Sequence, residues 1–247
     1  MIHVLATKAV VAQTVIPDFG GGGANSCVRQ DKLFCWDWFS AHWGNTFQPA
    51  LIDHVKLTLI AVGIGFVISF ALALVAYRYV RLETPITLLT GLLFTIPSAA
   101  LFQLLVPITG LTTTTVEVAL VSYTLLILFR NIVVGLRGVS EEVREAARGM
   151  GLTRAQTLFR VELPLAVPEI LAGIQVATVT VISLATVGAF IVDEGLGGPI
   201  FKALQTSFNT EFIAAGALTT LLAVIAYLLI AGAQRVLTPW AGRSVAR

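Results

Sequence analysis

The sequence contains little charge. Only 12% of its 247 residues are Asp, Glu, Lys or Arg, whereas 56% are hydrophobic and the mean hydropathy is +0.87. A soluble domain usually carries about 25% charged residues, so this chain has too few to cover a water-facing surface. The apolar residues stand in long runs that do not alternate with polar ones, which excludes the pattern of an outer-membrane barrel. The composition therefore predicts an all-α integral membrane protein.

Residues that bind metals, nucleotides or nucleic acids are equally scarce. The two cysteines, Cys27 and Cys35, have no histidines at zinc spacing, and no nucleophile stands beside a base. The glycine run at 20–23 lacks the Lys-Ser/Thr ending of a phosphate-binding loop. The net charge of +2 comes without a basic, aromatic-interleaved stretch that would favour nucleic acid. We expect no catalytic residue, metal site or bound cofactor, which disfavours a membrane-embedded enzyme.

Five apolar runs are each long enough to cross the ~30 Å hydrocarbon core of a membrane as a helix. They cover about residues 55–77, 86–106, 116–134, 165–192 and 212–236. Together they form a predicted transmembrane domain at residues 55–236. Pro97 lies inside the second run, where it removes a backbone hydrogen bond and should kink the helix. It is a candidate gate hinge, although prolines also kink membrane helices for shape alone.

The few ionisable residues inside these runs lie near the run ends. They are Glu117, Arg130, Glu169 and Arg235, with Lys56 at the very start of the first run. A secondary transporter or channel that works alone usually places ionisable residues inside its spans. The pattern therefore weakens autonomous ion-coupled transport, which stays an alternative.

Arginine is distributed unevenly among the loops. The loops after the first and third runs and the C-terminal tail, residues 237–247, contain Arg78, Arg81, Arg137, Arg144, Arg148, Arg154, Arg160, Arg243 and Arg247. The opposite loops contain only Lys202, and the N-terminal segment and the first residues of the first run add Lys8, Arg29, Lys32 and Lys56. Because cytoplasmic loops are enriched in Lys and Arg, we expect the C-terminal tail to be cytoplasmic. The N-terminal segment, residues 1–54, should then be extracytoplasmic, in a multi-pass protein of a bacterial cytoplasmic membrane.

The N-terminal segment carries aromatic residues next to the first run. They are Trp36, Trp38, Phe39, Trp43 and Phe47. They predict a short amphipathic helix on the outer membrane surface, with a simple aromatic anchor as the alternative. The earlier apolar stretch at 10–16 is too short to span. A signal-peptide interpretation of that stretch is weak, because Pro17-Asp18-Phe19 is a poor cleavage site.

The two cysteines lie in the same segment. Cys27 and Cys35 are eight residues apart, and an oxidising compartment favours a disulfide between them. Two free thiols are the alternative, because spacing alone does not orient the side chains.

The link between the third and fourth runs, residues 138–164, has clear helix signals. Ser140 can cap a helix, and Glu141 and Glu142 suit its positive N-terminal end. Gly151 can adopt the left-handed conformation that stops this helix. Thr153 and Gln156 form a capping box for a second short helix, which Pro164 should end. The 138–164 link therefore predicts a helix-turn-helix at the arginine-rich side, with small residues at its exposed corner.

The same link carries a specific resemblance. It has Glu145-Ala146-Ala147, then Gly151, Val161 and Leu163-Pro164 at the spacings of the EAA loop of ABC-importer permeases, in which Ile usually stands at the place of Val161. The resemblance implies the methionine-importer-like permease fold of type I importers. It implies ATPase coupling through Glu145, Ala146, Ala147, Gly151, Leu152 and Pro164.

Membership of this family would also imply partners. Two ATP-binding cassette subunits would bind ATP and Mg, a second permease would be identical or paralogous, and an extracytoplasmic solute-binding protein would select the solute. Residues 50–240 further resemble the glycine betaine, carnitine and choline branch, for example at Ile96-Pro97-Ser98 and Gly195-Leu196-Gly197. Methionine-type and phosphonate-type permeases are the alternatives.

A mildly polar stripe follows the fourth run. Gln175, Thr178, Ile182 and Thr186 recur at helical spacing and are candidates to line the translocation path. The alternative is that these polar groups bond to a neighbouring helix or to the preceding turn.

Overall fold

The structure, a computed structural model, describes residues 26–29 and 32–240, and every regular element in this part of the chain is helical. The helices are α1 Ser26–Arg29, α2 Trp36–His42, α3 Gln48–Arg78, α4 Glu83–Thr95, α5 Ser98–Thr109, α6 Thr113–Arg137, α7 Glu141–Gly149, α8 Arg154–Thr157, α9 Leu163–Gly188, α10 Gly197–Thr206 and α11 Asn209–Leu237. The apolar stretch at 10–16 and the tail beyond residue 240 lie outside the described residues. The predicted all-α fold is confirmed for the part described.

The long helices α3, α6, α9 and α11 form the body of the protein. Helices α3 and α6 pack on each other and on α9, and α11 packs on the far side of α9. Small residues allow close crossings, because a methyl group at Gly173 would lie only 2.6 Å from the Cβ of Asn131 on α6. Apolar clusters between α3, α6 and α9 include Leu120, Leu128 and Ile132. The bundle is thus held by close backbone approach as well as by apolar burial.

Four of the five predicted spans are long apolar helices. Within the described residues these stretches are Trp36–Arg78, Thr113–Arg137, Arg154–Gly188 and Asn209–Leu237. The fourth span was expected to reach residue 192, but its helix ends at Gly188 and turns follow. The bent pair α4 and α5 corresponds to the remaining predicted span, which gives five if the pair counts as one.

The second predicted span is broken rather than kinked. The stretches Val80–Thr95 and Ser98–Thr109 diverge by 97° across Ile96 and Pro97. Ile96 has an extended backbone (φ −66°, ψ 128°), the conformation that a following proline imposes. The hydroxyl of Tyr123 on α6 donates to the Ile96 carbonyl oxygen, so the break leaves that acceptor satisfied. The expectation of one continuous second helix was therefore wrong, although the proline position marks the break.

Pro164 does not end a helix, contrary to the sequence expectation. Helix α8 continues through a π-helical turn at Leu158–Glu162 into α9, so Arg154–Gly188 is one helical stretch. In the wider turn the Leu163 N–H donates to the Leu158 carbonyl oxygen, five residues back. Pro164 follows in the first turn of α9, a position at which a proline is tolerated. The second arm of the predicted helix-turn-helix is therefore the beginning of the fourth span.

The aromatic segment continues directly into the first span. Helix α2 and a π-helical turn at Trp43–Phe47 join α3 to make the stretch Trp36–Arg78. Trp38 and Phe47 are buried against Phe208 and the start of α11, whereas Trp36 stays exposed. The aromatic helix is therefore continuous with the first span, and part of its apolar face packs into the protein. Its position at the outer membrane surface stays a prediction.

The two cysteines close a loop before α2 and connect it to α11. Cys27 and Cys35 form a disulfide with their Cα atoms 5.9 Å apart, so the pairing predicted from the sequence is present in the structure. The Cys35 N–H donates to Thr210 Oγ1 over 3.0 Å. The disulfide therefore lies next to the N-terminal end of α11.

Candidate coupling surface

Helix α7 begins and ends where the sequence predicts. Ser140 occupies the N-cap position with an extended backbone, but its side chain caps no backbone N–H. Instead it bonds to Glu142, and this hydrogen bond lowers the pKa of the Glu142 carboxyl. At the other end Gly151 has φ +81°, the left-handed region that favours glycine. The Leu152 N–H donates to the Ala147 carbonyl oxygen over 3.2 Å, which closes the helix end as a Schellman motif.

The predicted capping box is confirmed at α8. The Gln156 N–H donates to Thr153 Oγ1 over 3.3 Å, and the Thr153 N–H donates to Gln156 Oε1 over 2.8 Å. These two reciprocal bonds fix the direction in which the chain leaves the corner. Two short-range signals thus shape the turn between α7 and α8.

The corner between α7 and α8 presents small and apolar residues to its surroundings. Glu145, Ala146 and Gly151 are exposed, whereas Ala147 is 1% exposed and turns inward. A Cβ atom added at Gly151 would have no atom within 4 Å apart from the adjoining residues. Met150 is 71% exposed beside it. Because these residues are exposed at the corner, another protein surface can approach it closely.

The other two predicted coupling residues have different surroundings. Leu152 is half-buried and lines the cavity behind the corner. Pro164 is exposed on the first turn of α9, away from the corner itself. A role of these residues in ATPase coupling stays a prediction.

A cavity of about 760 Å³ lies behind this corner, between α7, α8 and the end of α3. Its charged lining consists of Arg78, Glu141, Arg144, Arg148, Arg154 and Glu162. Four arginines face two carboxylates there, so the cavity is positively charged. Arg148 and Arg144 hydrogen-bond Glu141 and lower the pKa of its carboxyl.

Helix α7 is also joined to the spans by a buried ion pair. Arg144 Nε lies 2.9 Å from Glu162 Oε1, at the start of the fourth span. The side chains of Arg144 and Glu162 are only 18% and 5% exposed. Neither residue was expected in this role, because their separation of 18 positions gives no local signal in the sequence.

The opposite end of the bundle is joined by a buried histidine that the sequence analysis missed. His54 Nδ1 accepts from the Leu196 N–H over 3.1 Å, and Nε2 lies 3.0 Å from the Ile182 carbonyl oxygen. Since Nδ1 accepts, the ring is neutral and Nε2 carries the proton. Gly195 has φ +70°, and a methyl group at Gly197 would overlap the Thr186 carbonyl oxygen. The glycines therefore let the loop between α9 and α10 approach His54 on α3 and the end of α9.

The candidate pore residues bond or pack within the chain. Gln175 Nε2 donates to the Tyr227 carbonyl oxygen over 3.1 Å, between α9 and α11. The hydroxyls of Thr178 and Thr186 donate to carbonyl oxygens of their own helix. Ile182 is 1% exposed within the bundle. Pore lining by these residues stays a prediction, as does a hinge at Pro97.

Comparison with known proteins identifies the class. A family model described as the binding-protein-dependent transport system inner membrane component matches residues 61–243. The chain therefore belongs to this family of membrane transport permeases.

Within the described residues no group of three or more His, Cys, Asp or Glu is arranged to hold a metal ion.

Named relatives cover most of the chain. The choline transport system permease protein OpuBB of Bacillus subtilis is 36% identical over 188 residues, 76% of this chain and 86% of that protein. The glycine betaine/carnitine/choline transport system permease protein OpuCD of Bacillus subtilis is 34% identical over 203 residues, 82% and 88%. The osmoprotectant import permease protein OsmW of Salmonella typhimurium is 36% identical over 199 residues, 78% and 90%.

Solved structures show the same fold at low identity. A chain of the methionine ABC transporter MetNI in an inward-facing conformation aligns with a TM-score of 0.70 at 19% identity, covering 76% of this chain and 94% of that one. A chain of an amino acid ABC transporter solved with histidines aligns with a TM-score of 0.66 at 20% identity, covering 79% and 96%. The fold is that of a type I importer permease.

Proposed function

We propose that this chain is a permease subunit of an ATP-driven importer for osmoprotectants of the glycine betaine, choline and carnitine class. Relatives with these solutes in their names are 33–36% identical over three quarters of the chain or more, and a relative named as an osmoprotectant import permease is 36% identical. The methionine-transporter structures are 19% identical and support the fold alone. The substrate assignment therefore follows the sequence relatives, and a methionine-type or phosphonate-type solute is the alternative.

In this proposal ATP hydrolysis takes place on separate subunits. Two ATPases that bind ATP and Mg would dock on the 138–164 links of two permeases, which are identical or paralogous. A separate extracytoplasmic binding protein would select the solute, and the permease would provide its path. The single observation that supports a docking site here is the exposure of Glu145, Ala146 and Gly151 at the corner between α7 and α8, around an open backbone turn.

The direction of insertion belongs to the same proposal. Tyr77 at the end of α3 donates to Glu162, and Gln234 near the end of α11 donates to the Pro168 carbonyl oxygen over 3.1 Å. The arginine-rich ends of α3, α6, α9 and α11 therefore meet at one end of the bundle. An arginine-rich end favours the cytoplasm. The segment with the disulfide would then face outward, where oxidation is favoured.

Transport by the complete importer in liposomes tests the substrate. The permease is reconstituted with its ATPase, partner permease and binding protein, and uptake of labelled betaine, choline, carnitine and methionine is measured with and without ATP. We expect ATP-dependent uptake of at least one quaternary ammonium solute and none of methionine. Uptake of methionine alone, or uptake that does not need ATP, would contradict the proposal.

Labelling of introduced cysteines tests the orientation separately. Gly149→Cys lies on α7, and Thr112→Cys lies in the exposed loop before α6 at the other end. An impermeant maleimide added to intact cells should label position 112 and should reach position 149 only after the membrane is opened. The reverse pattern would show that the chain is inserted the other way.

A further inference from the structure

Glu162 is a buried junction of three helical elements. Its Oε1 atom accepts from Arg144 Nε of α7 over 2.9 Å and from the Tyr77 hydroxyl of α3 over 2.7 Å. Glu162 itself lies in the π-helical turn that leads into α9, and its side chain is 5% exposed. One carboxylate oxygen therefore connects the ends of α3, α7 and α9.

Arg144 extends this junction to a fourth helix. Its Nη2 atom donates to the Leu136 carbonyl oxygen at the end of α6 over 3.0 Å. Its Nη1 atom donates to Glu141 within α7 over 3.2 Å. The rigid guanidinium plane thus fixes α7 relative to α6 and α9 at the same time.

The remaining connections and ion pairs of α7 restrict its position less than the pair of Arg144 and Glu162 does. Short non-helical connections, at 138–140 and 150–153, join it to α6 and α8. The other two ion pairs of α7, which join Glu141 to Arg144 and to Arg148, lie within the helix itself. The side chains of Arg148 and Glu141 are 60% and 54% exposed. Exposed pairs contribute little, whereas separating a buried charged pair leaves an unpaired charge out of water. A displacement of α7 should therefore also displace Glu162 and the ends of α3, α6 and α9.

We propose that Arg144 and Glu162 are positioning residues that transmit displacement of α7 to the ends of α3, α6 and α9 during transport. This inference rests on the proposed function, since it presumes that an ATPase moves α7. Tyr77 holds the carboxylate of Glu162 in place for Arg144. A pair that only stabilises the folded chain would have no effect on transport once stability is restored.

The test measures uptake and ATP hydrolysis together in liposomes that contain the complete importer. Glu162→Gln keeps the size of the side chain and removes its charge, so the ratio of solute taken up to ATP hydrolysed should fall by about tenfold. Tyr77→Phe removes one hydroxyl and should lower the ratio by about threefold. The matched control is Lys56→Gln, which removes a cation from the exposed ion pair with Asp53 at the other end of the bundle and should change the ratio by less than about twofold.

A double variant separates transmission from stability. Arg144→Gln combined with Glu162→Gln leaves no unpaired charge, so its melting temperature should recover from that of Glu162→Gln. The proposal predicts that the transport ratio stays low in the double variant, because two amides hold α7 less firmly than an ion pair. Recovery of the ratio along with the melting temperature would overturn the proposal.

The outcomes also distinguish this inference from the proposed function. If the unmodified importer shows no ATP-dependent uptake, the function is wrong. If it transports normally and both Glu162→Gln and Tyr77→Phe keep its transport ratio, the link is wrong and the function stands. If Glu162→Gln does not assemble, Tyr77→Phe decides the matter, because an unchanged ratio there would refute the link.

Discussion

Replacement of Gly151 by Asp tests whether the corner of the 138–164 link is a docking surface. The backbone at Gly151 has φ +81°, which costs most residues about 1–2 kcal/mol and costs Asp and Asn less than that. Apart from the adjoining residues, no atom lies within 4 Å of a Cβ atom built at this position, so the replacement starts in open space. We therefore expect Gly151→Asp to fold, with only a small loss of stability.

The effect on a docked partner should be much larger. A carboxylate held against a close-fitting surface without a partner loses its water, and an unpaired buried charge costs about 3–5 kcal/mol. That energy corresponds to a loss of affinity of roughly 10²- to 4 × 10³-fold. Gly151→Asn is the matched control, because it has the same size and a similar tolerance for the left-handed backbone but carries no charge.

The assay has two parts. Circular dichroism and thermal melting of the purified permease check the fold, and titration with the purified ATPase measures affinity. We expect both variants to melt close to the unmodified chain, and only Gly151→Asp to lose most of its affinity. Equal binding by both variants and the unmodified chain would refute the reasoning, as would equal loss of binding together with a low melting temperature.

Two further replacements test the opposite end of the bundle. His54→Ala removes a buried ring and leaves two backbone groups without their hydrogen bonds. The loss should destabilise the protein by roughly 2–4 kcal/mol and lower its melting temperature in detergent. An unchanged melting temperature would show that the ring does not stabilise this end of the bundle. Cys35→Ser opens the short loop closed by Cys27, which should cost about 2–3 kcal/mol and loosen the start of α11 in hydrogen exchange. Unchanged exchange there would show that the disulfide does not hold this end.

The sequence predicts features of this fold that depend on neighbouring residues. Apolar length predicts the spans, the pair Thr153 and Gln156 predicts the start of α8, and Gly151 predicts the end of α7. Each of these signals acts over one helical turn, so it is visible without knowledge of the rest of the chain. The corner that we propose as a docking surface is built from such signals.

Features that depend on distant residues could not be predicted in the same way. The sharp break at Pro97 is compatible with the bundle because Tyr123, 27 positions from Ile96, takes up the freed carbonyl oxygen. Pro164 continues a helix because the turn before it widens. His54 and Glu162 gain their roles from partners 142 and 18 positions away. Tertiary contacts decide these cases, and one sequence shows them only as isolated polar residues.

Site-specific crosslinking from α7 in the assembled importer tests the central claim most directly. A photoreactive amino acid is placed at the exposed Ala146 and, as the control, at Thr112 in the loop at the other end of the bundle. We expect illumination to join the chain to the ATPase subunit from position 146 and not from position 112. Absence of this crosslink at position 146, in an importer that still transports its solute with ATP, would contradict the account.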